Sequence, residues 1–280
     1  MTCSGCGHAV SPGDNFCENC GLNLHTPACT ACGAAATDDS GFCPDCGTRL
    51  PQGRDHLETE LEPGGAAGVT DLGLRRRRNE DAMALGAAGG LTVAVVCDGV
   101  ATSPRADEAA QAAADLAVER LLAELGGGAD AKEATVRACA AAASAVAAMG
   151  TVEDAPACTY VSAVVAPGEI TVGWLGDSRA YWLPEGGPGR LLTTDDVASH
   201  GVISSWLGAD AEPEDAHVLS FSPDLPGLLL ACTDGLWEYL TGDFPAAGTP
   251  LERARLLLRH ALDSGGRDNV TIVLIPGGPV

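Results

Sequence analysis

Acidic residues stand repeatedly where short apolar runs of this chain end. Asp98-Gly99 closes Thr92-Val93-Ala94-Val95-Val96-Cys97, and Asp234-Gly235 closes Leu228-Leu229-Leu230-Ala231-Cys232-Thr233. Gly176-Asp177-Ser178-Arg179 follows Ile170–Leu175, Asp268-Asn269 precedes Val270–Ile275, and Asn79-Glu80-Asp81 closes the basic run Arg75–Arg78. Bare carboxylates gathered in one cleft repel and raise one another's pKa, so the convergence of several is tolerated mainly where cations join them. Oxygen ligands of this hard kind suit Mg2+ or Mn2+. Each motif alone carries little weight, because Asp-Gly is a common turn and Gly-Asp-Ser or Asp-Asn is ordinary loop chemistry.

A second chemistry lies in the first 46 residues, which hold eight of the twelve cysteines. They fall as Cys3-x2-Cys6, Cys17-x2-Cys20, Cys29-x2-Cys32 and Cys43-x2-Cys46, and the second four repeat the first at a shift of 26 residues. Two tandem tetrathiolate sites, each holding one structural Zn2+ between two tight turns, account for this spacing. Gly7, Gly21, Gly33 and Gly47 follow the second cysteine of each pair, where the chain must bend sharply. The segment is similar to the double zinc-ribbon family. A disulfide framework would need an oxidising compartment. The start Met1-Thr2-Cys3-Ser4-Gly5-Cys6 has neither the basic nor the apolar segment of an export signal, so a cytoplasmic location is expected. With all four positions filled by cysteine, neither zinc is catalytic.

The acidic motifs need a scaffold. Leu91–Cys97, Tyr160–Val165, Ile170–Trp174, Leu228–Cys232 and Val270–Ile275 read as strands, and the Ala-rich stretches at about 105–125 and 131–149 as helices. Ser103-Pro104 is the expected N-cap and first residue of the first long helix. Thr249-Pro250-Leu251-Glu252 is a capping box opening a third over about 250–263. Strands gathered before and after a helix pair predict packed α and β layers rather than alternating βαβ units. The acidic, Pro- and Gly-rich stretch 51–66 reads as a linker between a ribbon module over 1–50 and a larger domain over 67–278.

Composition bounds the partners. Hydrophobic residues make up 46% of the 280 and charged residues 19%, too apolar for a disordered chain, yet no apolar run reaches the ~18 residues of a membrane span. The formal net charge of −22 opposes nucleic acid or anionic membrane as a general partner. Residues 1–50 set five acidic residues against Arg49 alone, a formal −4 before the tetrathiolate centres add their own negative charge. A protein-docking role is therefore expected for the ribbons.

The acidic motifs gain specificity as an ordered set. Thr70-Asp71-x-Gly73-x-x-Arg76-x-x-Asn79-Glu80-Asp81 is followed by Asp98-Gly99, Gly176-Asp177-Ser178-Arg179 and Thr193-Thr194-Asp195-Asp196. Thr233-Asp234-Gly235-Leu236 and Gly265-Gly266-x-Asp268-Asn269-Val270-Thr271 complete it. In this order and spacing, over about 68–276, the chain resembles the type 2C (PPM) metal-dependent Ser/Thr protein phosphatases. The resemblance implies an α+β fold, a four-layer αββα sandwich, with a binuclear Mn2+ or Mg2+ site at one end and an activated water that attacks phosphorus in line. It implies Asp98 as the carboxylate bridging both ions, Glu80 and the Gly99 carbonyl on one, Asp234 and Asp268 on the other, and Asp177 at a third, weaker site. Asp81 would orient the attacking water, and Arg76 would hold the substrate phosphate in its planar fork. The implied substrate is a phosphorylated protein, such as a target of a bacterial Ser/Thr kinase.

Several segments depart from that family's pattern. Val100-Ala101-Thr102-Ser103 replaces a Gly-rich continuation after Asp98-Gly99, so no general acid stands at Val100 and leaving-group protonation falls to water. Ala157-Cys158-Thr159 stands in place of a Gly-Thr-Thr-like element, Trp237 is unusual, and Asp196–Leu207 is short for a flap beside the active site. The competing expectation is a PPM-fold scaffold that binds phosphoproteins with little or no turnover; retention of Glu80, Asp98, Asp234 and Asp268 argues against it. A cysteine phosphatase is set aside because the one Cys-x5-Arg spacing, Cys43 to Arg49, uses a zinc-assigned cysteine. The lone lysine, Lys132, follows Ala131, which excludes a P-loop. Cys97, Cys139, Cys158 and Cys232 are expected as buried small hydrophobes, and Arg179 as a structural ion pair in the acidic site.

Overall fold

The structure, a computed structural model, describes residues 8–10, 29, 31–34, 42–48, 50, 53–62, 64–199, 202–212, 214–242 and 244–280. The chain divides into two units, Met1–Gly53 and Arg54–Val280. In the first, Cys29, Cys43 and Leu50 are buried together.

The larger unit begins with β1 (His56–Glu60), β2 (Ala67–Asp71), β3 (Ala82–Ala88) and β4 (Leu91–Cys97), followed by the helices α1 (Ala106–Gly126) and α2 (Ala131–Ala147). Then come β5 (Ala157–Cys158), β6 (Tyr160–Ala166), β7 (Glu169–Leu175), β8 (Arg179–Pro184), β9 (Arg190–Leu191), β10 (Leu207–Gly208), β11 (His217–Phe221) and β12 (Gly227–Cys232). The one-turn helix α3 (Asp234–Trp237), α4 (Pro250–Asp263) and β13 (Val270–Gly277) complete the unit. All pairings are antiparallel. One sheet runs β1-β2-β13-β12-β8-β9, a second β11-β7-β6-β4-β3, and β10 pairs with β5.

The central strands are apolar on both faces because both faces are covered. In β4, Val93, Val95 and Cys97 pack into a core with Ala109, Ala113, Ala117 and Leu121 of α1 and Ala138 and Ala142 of α2. Ala94 and Val96 point the other way, against Leu229, Ala231, Val273 and Ile275 of the opposite sheet. In β13, Ile272 and Leu274 turn outward onto Leu257, Leu258 and Ala261 of α4. Three apolar layers thus separate four layers of secondary structure, the αββα arrangement. Alanine lines the buried faces of α1 and α2, so both helices pack close to the sheet and to each other. Among the described residues no helix is long and apolar enough to cross a membrane.

Two expectations are corrected. The stretch taken as a linker contains β1, fully exposed but hydrogen-bonded along β2 from His56–Asp71 to Glu60–Ala67. Ser103 does not cap α1. Its hydroxyl instead accepts from the Ala157 amide at 3.1 Å, and the helix opens from Arg105, in the left-handed region at φ 50° with no side-chain cap. The Thr249 capping box forms as expected, closed by Glu252 from both sides.

Candidate active site

The acidic motifs meet because antiparallel strands bring their ends together. Ala82 at the start of β3 lies opposite Cys97 at the end of β4, so Glu80-Asp81 and Asp98 are neighbours. Cys232 at the end of β12 lies opposite both Ile272 of β13 and Arg179 of β8, which brings together Asp234, Asp268 and Asp177. Hydrogen bonds join the two sheets here: the Thr233 hydroxyl donates to Asp81 Oδ2 at 2.9 Å, and the Glu80 amide donates to Asn269 Oδ1 at 2.8 Å. Glu80, Asp81, Asp98, Asp177, Asp234 and Asp268 flank the strand ends joined in this way.

Asp81 is 1% exposed, while Glu80, Asp98, Asp177, Asp234 and Asp268 are half-buried around it. Burial, followed by the charges of Asp81 and Asp234, pushes the Asp98 carboxyl well above the carboxylate range. Burial also lifts Asp81 to about 8, against the lowering effect of Thr271 and Thr233. Burial and the neighbouring Asp268 and Asp177 raise Asp234 to about 7. Asp177 rises to about 6 through burial and Asp195. Oδ1 of Asp81 and Oδ1 of Asp234 are buried without a hydrogen-bond partner.

Arg76 reaches into the same end and pairs through Nη2 with Asp268 Oδ2. Arg179 takes the structural position expected of it: Nε and Nη2 grip Asp195 at 2.9 and 2.7 Å, and its guanidinium stacks 3.6 Å over Trp237. Trp237 in turn donates from Nε1 to the Asp177 carbonyl at 2.9 Å, which gives this residue a place in the site. Thr159 clasps the backbone of Asp98: the Asp98 amide donates to Thr159 Oγ1 at 3.1 Å and the Thr159 amide to the Asp98 carbonyl at 2.8 Å. Thr159, Thr233 and Asn269 stood in the motifs without roles, because their partners lie across the sheets. Cys97, Cys139, Cys158 and Cys232 are buried as expected.

In the smaller unit Cys29, Cys32, Cys43 and Cys46 bring their sulfurs within 4.8 Å of one another, the only such group of three or more potential ligands among the described residues. Each pair sits on the same turn, with Gly33 donating to the Cys29 carbonyl and Gly47 to the Cys43 carbonyl at 2.8 Å. Both glycines have φ near 70°, which a side chain would strain. Cys3, Cys6, Cys17 and Cys20 lie outside the described residues.

A family model described as "Protein phosphatase 2C" matches residues 75–256, and one described as "Double zinc ribbon" matches residues 3–47. A solved structure of a bacterial serine phosphatase is 20% identical with a TM-score of 0.64, covering 77% of this chain and 99% of its own. The catalytic domain of the serine/threonine phosphatase PstP in complex with two manganese ions is 24% identical, TM-score 0.58, covering 76% and 97%. A PPM Ser-Thr phosphatase from Mycobacterium smegmatis in complex with cacodylate is 26% identical, TM-score 0.58, covering 76% and 98%. No curated protein matches.

Proposed function

Because the chain belongs to the protein phosphatase 2C family, we propose that it hydrolyses phosphoserine and phosphothreonine in proteins with the help of Mn2+ or Mg2+. The observation that supports this reading is the meeting of strand ends that carry Glu80, Asp81, Asp98, Asp234 and Asp268, joined across the two sheets by the Thr233–Asp81 and Glu80–Asn269 hydrogen bonds. The donor chemistry suits such ions: the side-chain donors are carboxylates, hard oxygen ligands, and Oδ1 of Asp234 is buried with no hydrogen-bond partner, though these oxygens do not gather as tightly as the four sulfurs of the smaller unit. Asp98, Glu80, the Gly99 carbonyl, Asp234 and Asp268 would hold two such ions, Asp98 being shared between them, and Asp177 would serve a third. When bound, such cations supply Lewis acidity and acidify a water so that it attacks near neutral pH.

The chain's own residues do the rest. Asp81, fixed by Thr233, accepts a hydrogen bond from the attacking water and aims its lone pair at phosphorus. Arg76 offers guanidinium nitrogens to the phosphoryl oxygens, offsetting the charge they carry. Val100 has no proton to give, so the departing serine or threonine oxygen takes one from solvent. The zinc ribbons, acidic and with closed metal sites, dock a protein partner in the cytoplasm rather than nucleic acid.

The test is hydrolysis of para-nitrophenyl phosphate and a phosphothreonine peptide by the full-length protein, with Mn2+ titrated after chelation. Turnover should return with Mn2+ and fall at least ~100-fold in Asp234→Ala. Equal inactivity of wild type and variant in both Mn2+ and Mg2+ would leave a phosphoprotein-binding scaffold as the better account.

A further inference from the structure

Arg54 is the first residue of the larger unit and lies 21 residues ahead of the family-model match. Its guanidinium is folded inward rather than solvated. Nη1 donates to Gln111 Oε1 at 2.8 Å, and Nη2 to the Asp81 carbonyl at 3.1 Å and the Asp107 carbonyl at 3.5 Å. Its own carbonyl accepts from Asn79 Nδ2 at 2.9 Å, and its Nε is buried with no partner. Arg54 therefore brackets Asn79-Glu80-Asp81, with its backbone on the first residue and its side chain on the last. The same fork reaches the first turn of α1. There the chain is tight: a Cβ on Gly99 would sit 2.8 Å from the Ala106 carbonyl and 2.7 Å from that of Glu80.

We propose that Arg54 is a positioning residue for one of the two metal ions, the one assigned to Glu80 and the Gly99 carbonyl; this rests on the metal-dependent reading of the site. Glu80 lies inside the segment that Arg54 brackets, and Gly99 packs on the helix turn that Arg54 also holds. A planar fork spans both where a lysine ammonium, a single point of charge, does not. Outer partners of this kind set how well ligands are placed before the ion arrives. Asp234 and Asp268 approach from the opposite sheet, and none of Arg54's hydrogen bonds goes to either, so the second ion should be affected least.

Mn2+ binding to the chelator-treated full-length protein, followed by calorimetry and by the electron paramagnetic resonance of free Mn2+, tests this. Wild type should take up two ions tightly. Arg54→Ala should weaken one of them about 10-fold and the other by less than about twofold. Arg54→Lys should stay close to Arg54→Ala, and it carries the same comparison if the alanine variant does not fold. Arg255→Ala, which cuts the pair between Arg255 of α4 and Glu58 of β1, the strand that follows Arg54, should bind both ions as wild type does. The half-saturating Mn2+ for para-nitrophenyl phosphate should rise in step. Wild-type affinities in Arg54→Ala, equal weakening of both ions, full recovery in Arg54→Lys or the same loss in Arg255→Ala would each overturn the proposal while leaving the phosphatase reading intact. A wild type that takes up no Mn2+ would remove both.

Discussion

At the scale of single residues, the carboxylates make a statement about pH. Asp81 at about 8 and Asp234 at about 7 both lie above the ~4 of an unfolded aspartate. With the folded values raised, the ion-free fold keeps protons that the unfolded chain releases between about pH 4 and pH 8. Stability therefore falls as pH rises through that window and is level below it. The expected outcome is a Tm for chelator-treated protein that drops between pH 5.5 and pH 8, with a shallower drop in Asp234→Asn. Added Mn2+ should restore Tm most at the upper end and release protons as it binds. Thermal scans with and without Mn2+ across that range check this; a slope identical in wild type and Asp234→Asn would refute it.

At the scale of elements, the turn after β12 is the tightest joint of the site. A Cβ on Gly235 would meet the Asn269 carbonyl at 1.8 Å, so a side chain there must push the start of β13 aside. Gly235→Ala is expected to cost about 1–3 kcal/mol in denaturant unfolding and to weaken Mn2+ binding, since Asp268 and Asn269 move with that backbone. The same elements explain what was legible beforehand. β4, β12 and β13 are covered on both faces and so read as unbroken apolar runs; the acidic motifs at their ends could be recognised because strand ends are where a turn must stand. The Thr249 box was visible because both of its partners lie within four residues. β1 was not, because all five of its residues are exposed and the pattern His56-Leu57-Glu58-Thr59-Glu60 resembles a solvated loop. β3, Ala82-Met83-Ala84-Leu85-Gly86-Ala87-Ala88, lacks the β-branched residues that mark a strand. Arg54 stayed hidden because its side-chain partners lie 27, 53 and 57 residues away.

At the scale of the molecule, the candidate ligands of the two units differ in kind, sulfurs in the smaller and carboxylate oxygens in the larger. Exchange of Cys43 and Cys46 to serine should remove one of about two bound zinc ions, read with a chromogenic chelator, and leave hydrolysis of para-nitrophenyl phosphate unchanged. Activity falling in parallel with zinc would show that the ribbons serve the chemistry directly. The join between the units has a mechanical consequence. β1 runs antiparallel to β2 with His56 opposite Asp71, so a pull on the chain ahead of Arg54 loads that pair and the Arg54 fork before any other pair of the strand. Arg54, two residues ahead of β1, also donates to the Asp81 carbonyl, so one side chain ties the amino-terminal edge of the sandwich to the end where the acidic motifs meet.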